Sequence, residues 1–140
     1  MTYTDMIARL EQEKELVGKL NALLQQELDL IASDEVQALE ESMPAKRKVI
    51  RSIAEMRRNA QTPSSEPSPE EAKRMRILQQ DLVRLWKKAT GLNDISKRMV
   101  TQRLSEIDDA VQSFFTGLKE SYTRDGRKAA ISLHTIKTGA

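Results

Sequence analysis

The feature that most constrains this chain is an apolar stripe that runs without a break from Pro69 to about Lys119. Its members return at alternating steps of three and four residues, the spacing that keeps side chains on one side of an α-helix. They are Met75, Leu78, Leu82, Leu85, Ala89, Leu92, Met99, Ile107, Val111, Phe114 and Leu118. No proline follows Pro69, and Gly91 and Gly117 each weaken a helix by about 1 kcal/mol without ending it. The pattern predicts one helix over about 70–119, on the order of 70 Å long.

Two shorter segments with the same periodicity precede this helix. The first covers about 4–31 and the second about 34–60, and each carries one apolar stripe. Asp34 and Gln37 have the spacing of a capping box for the start of the second segment. Pro44 removes one backbone hydrogen bond inside that segment. It predicts either a kink or two separate helices that meet at the proline.

The remaining segments connect the helices or follow them. Three of the four prolines fall in residues 61–69, which predicts a mobile polar linker, and Ser68 before Pro69 is a favourable helix start. After the third helix the periodicity is lost, so 123–140 is predicted to be a mobile basic tail. The expected fold is all-α: one domain over 1–122, built as an elongated antiparallel bundle or coiled coil of three long helices, of which the third is the longest.

Composition narrows the class of function. Twenty-three Lys and Arg residues stand against 21 Asp and Glu, so the net charge is +2, and the two signs are interspersed. This balance is not typical of a nucleic-acid binder, and the basic clusters 46–48 and 57–58 are interpreted as solvated helix faces. The chain has no cysteine, which excludes disulfides and thiolate metal sites. Neither a signal peptide nor an apolar run of about eighteen residues is present, so we expect no membrane insertion.

The residues that usually carry catalysis or bind metals do not converge. The single histidine, His134, falls in the predicted tail, and no Glu-x-x-His pair of a di-iron bundle occurs. There is no glycine-rich phosphate loop and no Gly-x-Ser-x-Gly turn. Trp86 lies beside Leu85 in the stripe and is interpreted as the edge of a core. The sequence therefore predicts no enzyme, no cofactor and no metal site.

The unequal helix lengths point to a function. The first two helices, of roughly 28 and 26 residues, would each be about 40 Å long against about 70 Å for the third. If the three helices pack side by side from a common end, the first two are too short to cover the stripe from about Val100 to Tyr122. This part holds Val100, Leu104, Ile107, Val111, Phe114, Phe115 and Leu118. It predicts an interaction surface for an amphipathic partner helix. A structural coiled-coil subunit that self-associates through the same stripe is the alternative.

The layout also resembles a known family. Two shorter helices, a long third helix with Asn93 just before its middle, and the sequence Tyr-Thr-Arg-Asp-Gly at 122–126 are similar to the FlgN-type flagellar export chaperones. The resemblance covers nearly the whole chain. Thr123 stands where that family usually has glycine.

The resemblance implies a cytoplasmic chaperone without ATPase activity. It implies that the chain holds the C-terminal helices of the hook–filament junction proteins FlgK and FlgL before type III export. The implied cargo anchors are Val100, Leu104, Ile107, Val111, Phe114 and Leu118. Docking on the export gate component FlhA is implied for Tyr122, with Asp125 and Gly126 beside it. Tyr122 can equally be a helix-end aromatic that covers Leu118. A nucleic-acid accessory factor, whose binding would fall steeply with salt, is a further alternative.

Overall fold

Three α-helices make up most of the described chain. The computed structural model describes residues 2–124, with side chains through residue 120. Helix α1 spans Tyr3–Ala32, α2 spans Val36–Arg58 and α3 spans Pro69–Arg124, and no strand occurs among the described residues. Their lengths of 30, 23 and 56 residues confirm the all-α class and the third helix as the longest. At 1.5 Å per residue they measure about 45, 35 and 84 Å.

Helices α1 and α3 begin at reciprocal side-chain caps. The Asp5 amide donates to Thr2 Oγ1 at 3.2 Å, and the Thr2 amide donates to Asp5 Oδ2 at 3.1 Å. Ser68 and Glu71 repeat this arrangement at 3.2 and 2.9 Å. Each pair satisfies two amides that the first turn of a helix leaves unpaired. The predicted helix start at Ser68 is thereby confirmed.

Helix α2 begins and continues differently from the prediction. The capping box of Asp34 and Gln37 is wrong, because the N-cap position is Glu35 and no side chain caps the helix. Asp34 instead takes a left-handed φ of 56°, a conformation that aspartate tolerates in tight turns. The helix runs through Pro44, so the alternative of two separate helices is also wrong. Pro44 is exposed, and its ring therefore displaces no packed side chain.

The contacts divide the described residues into two compact units, the first up to Met99 and the second from Val100 onward. The core of the first unit is aliphatic and draws on all three helices. One buried cluster takes Val17 from α1, Ile53 from α2 and Leu82 from α3. The other cluster consists of Leu20, Leu24, Ala89 and Leu92. Trp86 packs partly buried against both clusters, as predicted for a residue at the edge of a core.

Two ion pairs fix the direction of α2 against α1. Arg57 Nε donates to a carboxylate oxygen of Glu13, and Lys46 Nζ lies 2.7 Å from Glu27 Oε2. Residue numbers rise along α1 as they fall along α2, so the two helices are antiparallel. The Lys46 and Glu27 side chains are largely buried, and each charge therefore depends on the other for compensation.

Two further contacts show that the first part of α3 runs parallel to α1. Lys14 Nζ lies 3.0 Å from Asp81 Oδ2, and Asn21 Nδ2 donates to the Leu85 carbonyl at 3.1 Å. The hydrogen bond from Lys14 holds the pKa of Asp81 below its ordinary value. In the first unit α3 is therefore parallel to α1 and antiparallel to α2, which is the order of a three-helix bundle.

The linker between α2 and α3 makes contacts of its own. Pro63 is buried, and the Tyr3 hydroxyl donates to the Ser65 carbonyl. These contacts tie the middle of the linker to the first turn of α1.

The part of the chain that the structure describes shows neither a metal site nor a membrane-spanning helix. Within residues 2–124, no cluster of metal-binding side chains is present. None of the helices there has the apolar length that a bilayer crossing requires. His134 lies outside the described residues.

Candidate interaction surface on α3

The second unit presents a regular apolar face on α3. We call it the α3 stripe, and it comprises Val100, Leu104, Ile107, Val111, Phe114 and Leu118. Successive members are four, three, four, three and four residues apart, so all six lie on one side of the helix. The six predicted cargo anchors are thus brought together on one surface.

Most of this surface is open to solvent. Leu104, Ile107 and Phe114 are 62%, 60% and 65% exposed. Val100 and Val111 are also exposed, whereas Leu118 is half-buried. The five exposed members present on the order of 500 Å² of surface, comparable to the largest apolar patch on a typical monomeric protein. Because the hydrophobic effect favours covering such a surface, the stripe is suited to binding.

The two phenylalanines of the chain meet near the end of the stripe. Their rings are 5.5 Å apart between centroids and inclined at 70°, an edge-to-face arrangement. Phe115 is half-buried while Phe114 projects into solvent. An edge-to-face pair of this kind contributes about 0.5–1.5 kcal/mol beyond area burial. The pair therefore favours this orientation of the Phe114 ring.

Polar side chains of the second unit interact with one another away from the stripe. Gln102 Nε2 donates to Glu106 Oε1 at 3.3 Å, and Arg103 lies 4.0 Å from the same carboxylate. Exposed contacts of this kind contribute less than about 1 kcal/mol each.

The predicted docking residues fall at or beyond the end of the described chain. Tyr122 lies within α3, one turn after Leu118, but its side chain is outside the described part. Asp125 and Gly126 both lie outside the described residues. Docking through these three residues stays a prediction, as does cargo binding by the stripe.

Sequence reasoning missed a second exposed apolar surface, in the first unit. Ile50 of α2 and Val83 of α3 are exposed, yet both flank partly buried Trp86. The available signal was the position of Ile50, three residues before the buried Ile53 and therefore on the same side of α2.

A model of the FlgN protein family matches residues 1–130. The matched region includes all three helices and the whole α3 stripe. No curated protein and no solved structure matches the chain.

Proposed function

The chain belongs to the FlgN family of flagellar export chaperones, and from that premise we propose that it is a cytoplasmic chaperone for the hook–filament junction proteins FlgK and FlgL. The observation that supports this proposal is the exposed α3 stripe, whose 4-3 spacing matches the apolar face of another helix. In the proposed complex the amphipathic C-terminal helices of the cargo lie along the stripe, with Leu104, Ile107 and Phe114 as central anchors.

The size of the stripe supports a stable but reversible complex. Covering about 500 Å² on the chaperone and a similar area on the cargo contributes roughly 25 kcal/mol at 25 cal/mol per Å². Lost translational and rotational freedom opposes this by up to about 15 kcal/mol, and ordering the cargo helix opposes it by about 2–5 kcal/mol more. The difference is near the roughly 8 kcal/mol of a micromolar complex. Such affinity holds cargo in the cell without requiring ATP for its release.

The chemistry of the stripe explains why a chaperone would be needed. Junction proteins assemble outside the cell through the packing of amphipathic helices. A helix held on the α3 stripe has its own apolar face covered and cannot pair with another copy. Transfer to FlhA, through Tyr122 with Asp125 and Gly126, would then place the held cargo at the export gate.

The test replaces the centre of the stripe. Ile107→Asp with Phe114→Asp puts two charges on the face that cargo is proposed to cover, so affinity for a FlgK C-terminal peptide should fall at least a hundredfold in calorimetry. The matched control is Ile77→Asp with Ile95→Asp, two exposed positions of α3 in the first unit. The control should bind the peptide within twofold of the unchanged chain, and both variants should keep their helical circular dichroism. Full affinity in the stripe variant would reject the proposed site.

A structural coiled-coil subunit remains the second candidate, because the same 4-3 spacing also suits pairing between two copies of α3. Sedimentation distinguishes the two functions. A mass that stays at 15.9 kDa as concentration rises supports the chaperone. A stable dimer or tetramer that the Ile107→Asp and Phe114→Asp pair dissociates supports the structural subunit.

A further inference from the structure

The first unit carries a groove between α2 and α3 that the proposed function does not use. Its deepest part is a cavity of about 270 Å³, whose floor is formed by Leu20 and Leu24 of α1. Ile50 of α2 and Trp86 of α3 form the two walls. A shallower depression of about 380 Å³ adjoins it across Trp86 and extends to Val83. We call this continuous surface the α2/α3 groove.

The walls of the groove are apolar, exposed and held in place. Ile50 is 47% exposed although it borders the cavity that reaches the core. Val83 is 54% exposed and borders the shallower depression. The Arg57 guanidinium carbon lies 5.1 Å from the centroid of the Trp86 ring, a cation–π contact that holds the indole in place. At about 270 Å³ the cavity is below the usual range for drug-sized ligands, so it fits single anchor side chains better than a cofactor.

Each helix that borders the groove carries a line of exposed cations, and we call these two lines its basic rims. On α2, the exposed cations Arg47, Arg51 and Arg58 follow one line of the helix at spacings of four and seven residues. On α3, the exposed cations Arg76, Lys87 and Arg98 follow one line at intervals of eleven residues, three helical turns each. The α2 line is accompanied by the carboxylates Glu40 and Glu55, and the α3 line by Asp94. Six cations against three carboxylates favour an occupant with negative flanks.

We propose that the α2/α3 groove docks an acidic amphipathic α-helix of a partner protein, with one leucine or phenylalanine seated between Ile50 and Trp86. Two antiparallel helices with a gap above a third are the arrangement that a fourth helix completes. The apolar floor distinguishes this ligand from nucleic acid, which would gain little from Leu20 and Leu24. The segment 125–140 has one acidic residue against three lysines and arginines, so the basic rims disfavour it. The site lies wholly in the first unit and does not depend on the α3 stripe.

The test uses a synthetic peptide as the probe. It is an 18-residue amphipathic helix with leucine and phenylalanine on one face, glutamate on the other and no tryptophan. Trp86 is the only tryptophan of the chain, so its emission reports occupancy of the groove directly. Binding should shift this emission to shorter wavelength and raise the anisotropy of a labelled copy of the peptide. The affinity should fall about tenfold between 50 and 300 mM salt.

Matched variants locate the peptide on the surface. Ile50→Asp with Val83→Asp should weaken binding at least tenfold. Val36→Asp with Ile95→Asp, on the same two helices and also exposed, should leave it within twofold. Arg51→Glu with Lys87→Glu changes only exposed side chains. This variant should bind the glutamate peptide severalfold more weakly and should bind a peptide with lysine in place of glutamate more tightly.

Several results would overturn the proposal. If the unchanged chain bound the lysine and glutamate peptides equally well, the basic rims would play no part in binding. Equal binding of polyglutamate or of a single-stranded DNA oligonucleotide would reduce the groove to a general polyanion site. The peptide would be assigned to the α3 stripe if the Ile107→Asp and Phe114→Asp variant lost binding while the Ile50→Asp and Val83→Asp variant kept it. That last result contradicts the groove while leaving the proposed cargo site intact. A Trp86 emission that shifts on dilution of the chain alone would assign the groove to a second copy.

Discussion

Truncation of Leu78 to alanine should lower stability without weakening cargo binding, whereas the same truncation of Leu104, in the same helix, should weaken cargo binding without lowering stability. Leu78 is completely buried, whereas Leu104 is 62% exposed. Leu78→Ala removes buried methyl groups and leaves a cavity among side chains of the first unit, at a cost of about 2–5 kcal/mol. For a unit of about 100 residues, 1 kcal/mol corresponds to roughly 4–8 °C, so the melting temperature should fall by at least about 8 °C. Leu104→Ala loses little burial and gains slightly in helix propensity, so its free energy of unfolding should change by less than about 0.5 kcal/mol.

The assay is thermal and urea unfolding of the two variants, followed by circular dichroism, beside their affinity for the FlgK peptide. Leu78→Ala should lower stability and leave affinity unchanged at temperatures where the chain is folded. Leu104→Ala should keep stability and weaken cargo binding by about tenfold, the effect of 1–2 kcal/mol at an interface anchor. An equal loss of stability in both variants would refute the reasoning, because it would mean that Leu104 is buried when the chain is free in solution.

Three further predictions concern the first unit. The Lys14 hydrogen bond lowers the pKa of Asp81, so its stabilisation is present above the ordinary value of 3.8 and is lost as pH falls through the folded-state pKa. Lys14→Met should therefore flatten the loss of stability below about pH 4 in acid titrations of the folded chain. Lys46→Ala leaves the Glu27 carboxylate largely buried without its cation and should cost about 1–3 kcal/mol in urea unfolding, more than the Lys46→Met and Glu27→Gln double replacement. Gly18→Ala adds a methyl group that meets no atom within 4 Å and should stabilise the chain by about 0.5–1 kcal/mol, whereas any destabilisation would contradict the open space at this position.

The features that could be predicted from the sequence are those that depend on one helix at a time. The three helices follow from apolar periodicity, and the start of α3 follows from the N-cap residue Ser68 before Pro69. The common face of the α3 stripe is equally local, because spacing alone places Val100 and Leu118 on one side. The family resemblance then supplied an expectation for the cargo that spacing alone does not contain.

The features that could not be predicted depend on how two helices meet. Lys46 was interpreted as part of a solvated face, but it is largely buried against Glu27, 19 residues earlier in the chain and on another helix. The turn before α2 closes through the left-handed Asp34, because the backbone geometry needed to reverse direction prevailed over a favourable capping pattern. The α2/α3 groove depends on the spacing between Ile50 and Trp86, which no periodicity within one helix encodes.

The central claim is that the α3 stripe is open in the free chain and covered when cargo binds. Hydrogen–deuterium exchange tests it most directly, with the chain measured alone and with the FlgK C-terminal peptide. Amides 100–118 should exchange fast in the free chain and at least tenfold more slowly with the peptide, while the amides of α1 change little. Slow exchange over 100–118 without any peptide, or protection by the peptide confined to residues 1–99, would contradict it.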